Sequence, residues 1–150
     1  MNAVESLEVA SLIPHCGESV LLDRIVEHDG ESTTSSIIVG SQSWLVREDG
    51  SVAPWLTVEY MAQSIALHEG IVAVTNGREL PLGFLVSVVA LDIRGTTLQR
   101  GERLEVRTTR VRGRPGLGVL SHCCTLHRRG AEGAPDVIAE GRLSISIPRQ

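Results

Sequence analysis

The chain has 150 residues, enough for one domain with a real core and too few for two of ordinary size. Hydrophobic residues make up 42% and charged residues 21%, which excludes a disordered chain. The net charge is -4, and the fourteen basic residues, all arginine, are scattered except for pairs such as Arg128-Arg129, which argues against a nucleic-acid partner.

No apolar run reaches the roughly 20 residues needed to span a bilayer, and the acidic start MNAVESLEVASLI lacks the basic region of a secretory signal. The expectation is a cytoplasmic protein that does not enter membranes. Cys16, Cys123 and Cys124 form no CxxC pair, and neighbours on a strand point to opposite faces, so neither a disulfide framework nor a metal site is expected.

In chain order, residues 5–13 suggest a short helix ended by Pro14. VLLDRIV at 20–26 and ESTTSSIIV at 31–39 read as strands, joined at His28-Asp29-Gly30, since Asp-Gly between β-type runs signals a hairpin. A loop with a polar tip at residues 47–51 follows. Pro54 then opens a stretch to Asn76 that predicts a helix of roughly 30–35 Å, with Asn76-Gly77 as its stop. Trp55, Val58, Met61, Ile65 and Val72 spread over most of its circumference, so this helix is buried rather than laid on a surface. Gly70 interrupts the pattern before the last turns. Four further β-type segments cover 83–91, 103–111, 118–127 and 137–147, with clean alternation in RLEVRTTRV and GRLSISI. The order of helix, two strands, long helix and four strands excludes a doubly wound parallel sheet. One helix buried all round requires a sheet that curls about it. The edge strands left over are resolved by pairing two copies, so a dimer is expected.

Three passages give the chain a familiar look. Leu12-Ile13-Pro14-His15 followed by Val20-Leu21-Leu22-Asp23-Arg24-Ile25 resembles the opening of the hotdog-fold 3-hydroxyacyl-acyl-carrier-protein dehydratases, and Val58-Glu59-Tyr60-Met61-Ala62-Gln63 resembles their central-helix motif. Pro81-Leu82-Gly83-Phe84-Leu85 and Gly101-Glu102-Arg103-Leu104 open strands in the same order. Within that family the chain is most similar to the dehydratase-like proteins of aryl-polyene biosynthesis. The resemblance covers nearly the whole chain and implies a single α+β hotdog domain over 1–150, a long central helix wrapped by a curved antiparallel sheet. It also implies reversible removal of water from a 3-hydroxyacyl thioester on acyl carrier protein, with no cofactor. A histidine on the loop before the helix takes the α-proton, and a helix carboxylate of the other subunit assists departure of the hydroxyl.

Glu59 matches that carboxylate. A carboxyl on an otherwise apolar helix is desolvated and suited to act as an acid near neutral pH. Gln63, one turn on, can orient it. The family's loop histidine is missing, since no histidine lies between His28 and His68, and Leu45 sits near its place. His15 is the in-chain candidate for a replacement base. Pro54 stands where a glycine amide would polarise the thioester, leaving the amides of Trp55 or Leu56 to substitute. Trp55, Leu56, Gly83 and Phe84 are the expected walls of the acyl site. His68 reads as structural, His122 and His127 as surface or edge residues, and Cys123 and Cys124 as packing. The readings left open are a working dehydratase, a catalytically incomplete subunit of a heterodimeric dehydratase whose partner supplies the histidine, and a hotdog acyl thioesterase.

Overall fold

The computed structural model describes residues 4, 6–94, 97–113, 118–128 and 135–148. Its central feature is α1, Leu56–Thr75, laid against a six-stranded antiparallel sheet. The sheet holds β1 (Arg24–His28), β2 (Ser32–Ile38), β4 (Phe84–Ile93), β6 (Arg103–Arg112), β7 (Val119–Arg128) and β8 (Asp136–Ser146), in the order β1-β2-β6-β7-β8-β4. A separate pair joins β3 (Ser51–Val52) to β5 (Leu98–Gln99). The single long helix and the curved antiparallel sheet are the architecture expected from the sequence. No helix among the described residues is long and apolar enough to cross a membrane.

Local chemistry explains most boundaries. The β1–β2 hairpin forms where Asp-Gly predicts it. The Asp29 carboxylate accepts from the amides of Glu31 and Ser32, and Gly30 takes φ +91°. β1 starts at Arg24, later than expected: Asp23 still donates to Ser36 of β2, but before it the Leu21 amide donates to Gln63 of α1. The expected helix over 5–13 is a single 3-10 turn, Val9–Ser11, with residue 5 outside the described residues. So short a segment cannot offset the cost of helix nucleation. Its apolar residues Val9, Leu12 and Ile13 go directly into the core.

Gly70 does not end α1. The helix runs on to Thr75, and a Cβ at residue 70 would collide with the Leu12 carbonyl oxygen, so the glycine lets the N-terminal segment cross the helix at close range. The core formed by Met61, Ile65, Leu67 and Ile71 meets the inward rows of β6, β7 and β8, including Val106, Leu126 and Leu143. β4 is different. It closes one edge of the sheet, yet Phe84, Leu85, Val86, Val88, Val89 and Leu91 are all exposed. Six large apolar side chains on one edge strand form a patch that soluble proteins reserve for a partner.

Candidate active site

Glu59 sits in the first turn of α1 with its carboxylate held from two sides. The Gln63 side-chain amide donates to Glu59 Oε1 at 2.9 Å, as their one-turn spacing requires. Gln63 is itself fully buried and fixed at both ends: its Oε1 accepts from the Leu21 amide at 2.9 Å, and its Nε2 donates to the Ser19 carbonyl at 2.7 Å. The segment after Pro14 and the helix are therefore tied through the residue that orients Glu59. His15 arrives from that segment, and its Nε2 lies 3.4 Å from the same Glu59 oxygen. Its Nδ1 is buried without a partner among the described residues.

The dyad opens into a cleft of about 220 Å³. Its walls are Ala62 and Ala66 of α1, Pro81, Gly83, Phe84 and Leu85 leading into β4, and Ile145 and Ile147 at the end of β8. Helix residues 59, 62, 66 and 69 form one stripe, so the cleft follows α1, and small alanines leave the space open. The Glu59 side chain is 42% exposed in the single chain. The water exclusion expected of it is incomplete without something laid over the cleft mouth, and the apolar β4 borders that mouth.

Of the expected site residues, Glu59, His15, Gly83 and Phe84 meet at this cleft, with Gln63 directly behind Glu59. Trp55 and Leu56 do not line it. Trp55, the N-cap of α1, is 65% exposed, whereas Leu56 is packed into the core. The Leu56 amide donates to Ala53 O at 3.0 Å, which leaves Trp55 as the amide to consider for polarising a carbonyl. Leu45 lies in a 3-10 turn, Ser43–Leu45, before the helix and brings no titratable group.

A second polar cluster went unread in the sequence. His122 was expected at the surface or an edge, but β7 is an interior strand, and His122 is fully buried with Leu120, Cys124 and Leu126 on its inward face. Its Nε2 lies 2.8 Å from Glu69 Oε1, and Arg110 grips both Glu69 oxygens. His127 is part-buried, 3.3 Å from Glu105. His68 is fully buried, as a structural residue would be; its Nδ1 and that of His28 both lie 2.8 Å from Thr33 Oγ1. The hydroxyl has one proton, so it donates to one ring and accepts from the other. Cys124 is buried and its thiol is pushed up to about 12, chiefly by burial, while Cys123 points outward, consistent with opposite faces of a strand.

His68, Glu69 and His122 each offer an atom within 4.8 Å of the others. We assign them no metal, because Arg110 already neutralises the one anion of the set, and a divalent cation would be buried against a guanidinium. Burial raises the Glu69 pKa, but hydrogen bonds from His122 and Arg110 outweigh it and hold the carboxyl below its usual range.

His68 makes the fold sensitive to acid. Burial pushes its imidazole down from 6.5 to about 4; the nearby Glu69 offsets only part of this, and His122, Arg110 and His28 add to it. The folded protein thus binds fewer protons here than the unfolded chain. The stability this contributes is complete above the unfolded value of 6.5 and is lost as pH falls toward 4. Urea unfolding at pH 7.5 and pH 5 is expected to differ by about 2 kcal/mol through this group, in the direction of lower stability at pH 5. His68→Gln should flatten that difference. Persistence of the full slope in the variant assigns it to other groups, such as His28, which burial also shifts downward.

Residues 7–150 match the family model for ApeP-like proteins, described as ApeP dehydratase. The chain belongs to the ApeP-like dehydratase family. Its structure is similar to the dehydratase heterocomplex ApeI:P from Xenorhabdus doucetiae, with TM-score 0.84 at 20% identity over 96% of this chain and 93% of that one. It is also similar to a hypothetical thioesterase with coenzyme A from Streptococcus pneumoniae (TM-score 0.63, 8% identity, 93% and 91% covered). A third likeness is to thioesterase HI1161 from Haemophilus influenzae (TM-score 0.60, 10% identity, 83% and 77% covered). At these identities the structures establish the fold, which is hotdog. No curated protein matches the sequence significantly.

Proposed function

We propose that this ApeP-like dehydratase removes water from a 3-hydroxyacyl thioester carried on acyl carrier protein, in aryl-polyene or fatty-acid-like biosynthesis, as one half of a two-subunit site. The observation that carries the reading is the Glu59 carboxylate, oriented by Gln63 and His15 at the mouth of an apolar cleft that the single chain leaves open. Elimination breaks the C2–H and C3–O bonds and forms the C2=C3 double bond. One group takes the C2 proton while another protonates the departing hydroxyl, which leaves as water. Glu59 is the group at the hydroxyl. Gln63 and His15 both approach Oε1, so Oε2 is the oxygen left for the substrate.

The base is the open position. His15 faces the cleft, but its Nε2 lies 3.4 Å from Glu59 Oε1, on the hydroxyl side of the site rather than apart on the C2 side. A second hotdog subunit laid over β4 would exclude water from Glu59 and could bring its own loop histidine, which is why an incomplete chain paired with a motif-complete one is the arrangement we favour. The structural likeness to a dehydratase heterocomplex supports this. The three free cysteines suit a reducing cytoplasm.

The test is to assay the purified chain alone, and then mixed with a hotdog dehydratase that has the complete histidine motif, on 3-hydroxyacyl carrier protein. Conjugated product formed only in the mixture is expected. Product from the chain alone would make His15 the base. Free thiol without conjugated product would replace dehydration by thioester hydrolysis.

A further inference from the structure

Three histidines line up through the interior where α1 packs on the sheet. His28 is part-buried at the end of β1, His68 is fully buried in α1, and His122 is fully buried in β7. None of them lines the Glu59 cleft. Ring centroids are 5.6 Å apart for the first pair and 5.9 Å for the second. Thr33 Oγ1 of β2 joins the first two, lying 2.8 Å from Nδ1 of each. Nothing in the chain joins the second two. His68 Nε2 and His122 Nδ1 are both buried and have no partner among the described residues. Even so, a ring nitrogen of His68 comes within 4.8 Å of one of His122. Ser64 Oγ, one turn before His68 on α1, is a third buried polar atom without a partner among these residues. Buried polar atoms in native structures are rarely left so, and ordered water is the usual partner where the chain offers none.

The proton positions follow from the end of the row that is fixed. His122 Nε2 faces the Glu69 carboxylate at 2.8 Å and so carries a proton. Arg110 already balances the Glu69 charge, so a second buried cation would lack an anion, and the His122 ring is neutral. Its Nδ1 is then a bare acceptor. His68, whose imidazole burial pushes down to about 4, is neutral as well and carries one ring proton. We propose that one water molecule is bound between His68 Nε2 and His122 Nδ1, accepting from the first and donating to the second, with Ser64 Oγ as its third partner. Three hydrogen bonds are typical of a buried water. His68 Nδ1 is then bare and accepts from the Thr33 hydroxyl, whose oxygen accepts from His28 Nδ1–H. Every donor from His28 to His122 thus points toward the Glu69 charge, the sense in which successive hydrogen bonds polarise and strengthen one another. The opposite setting of His68 would turn both Thr33 links away from that charge. The site is independent of the reaction at Glu59.

The test is NMR of the protein with isotope-labelled histidine at pH 7.5. Long-range proton–nitrogen correlations separate protonated from bare ring nitrogens, and cross-relaxation detects a bound water. His68 and His122 are expected in the Nε2–H form and His28 in the Nδ1–H form, with a water signal at the His68 Nε2 proton. Thr33→Val keeps the shape of the side chain and removes its hydroxyl. There His28 should lose its Nδ1–H preference, while the water signal at His68 persists. Loss of any water signal in the unsubstituted protein overturns the site. A proton on His68 Nδ1 overturns its direction, and a His122 ring protonated on both nitrogens removes the acceptor and overturns both. An unchanged His28 in Thr33→Val overturns its place in the row. The unsubstituted protein decides site and direction by itself, so a variant that fails to fold leaves those answers standing.

Discussion

Glu59→Gln is expected to reduce dehydration by about 10²- to 10⁴-fold, the range typical of losing a positioned acid or base. Glutamine has the same length, and its carbonyl oxygen can still accept from Gln63 Nε2, so the shape of the cleft should persist. What disappears is the exchangeable proton at the departing hydroxyl. Stability should move by less than about 0.5 kcal/mol, because the Glu59 side chain is 42% exposed and lies 3.4 Å from His15 in a part-solvated contact. The measurement is turnover of 3-hydroxyacyl carrier protein in the mixture that supports activity, alongside a urea melt. A variant with full activity would remove Glu59 from the chemistry and with it the site assignment. Loss of activity together with a large loss of stability would instead make Glu59 a structural residue.

How much of this the sequence shows depends on the length of the pattern involved. α1 is legible because twenty residues repeat one message: apolar on nearly every side, a proline just before its start and a glycine just after its end. The long strands are legible through alternation. β3 and β5 are not, since each has two residues and no periodicity can be read from two. The N-terminal segment looked helical because Leu7, Ala10 and Ser11 fall at helical spacing. In the structure Ala10 and Ser11 are exposed and the Leu12 backbone crosses α1 at Gly70, an approach that leaves no trace in the sequence except the glycine itself.

The candidate site divides in the same way. Glu59 stood out as a carboxylate among apolar neighbours, and Gln63 followed from helix geometry. Glu69 carries the same signal on the same stripe and could have been read by the same logic. Arg110 could have been found from β6, where Leu104, Val106 and Thr108 are buried at alternate positions and Arg110 is next in the row. His122 falls likewise with Leu120, Cys124 and Leu126 on β7. Three titratable residues that period-2 counting or helix spacing turns toward one interior point form one buried polar cluster. What the sequence could not supply is that the three rows meet, because that depends on the register of β6 against β7, in which Arg110 faces His122. Trp55 shows the opposite error. Its size suggested a wall of the acyl site, but the N-cap position turns it outward, and nothing local predicts that.

Arg110→Met is expected to cost about 3–5 kcal/mol of folding stability, the penalty for leaving a buried charge without its partner. The Glu69 side chain is 5% exposed, so it cannot recover by turning to water, and His122 alone supplies one of the three hydrogen bonds now made. Protonation of Glu69 is the remaining relief. In the unsubstituted protein its pKa is below the usual range, so its contribution is complete above the unfolded value of about 4.5 and is lost only as pH falls below it. Without Arg110 that depression weakens or reverses, and the deficit relative to the unsubstituted protein should be largest at neutral pH and narrow toward pH 4. The double variant Arg110→Met with Glu69→Gln removes both charges and should be less destabilised than the sum of its single changes by more than about 1 kcal/mol. Urea unfolding of the four proteins across pH 4–8 measures all three statements. Additive losses with no pH trend would mean that the pair is solvated rather than a buried, mutually dependent ion pair.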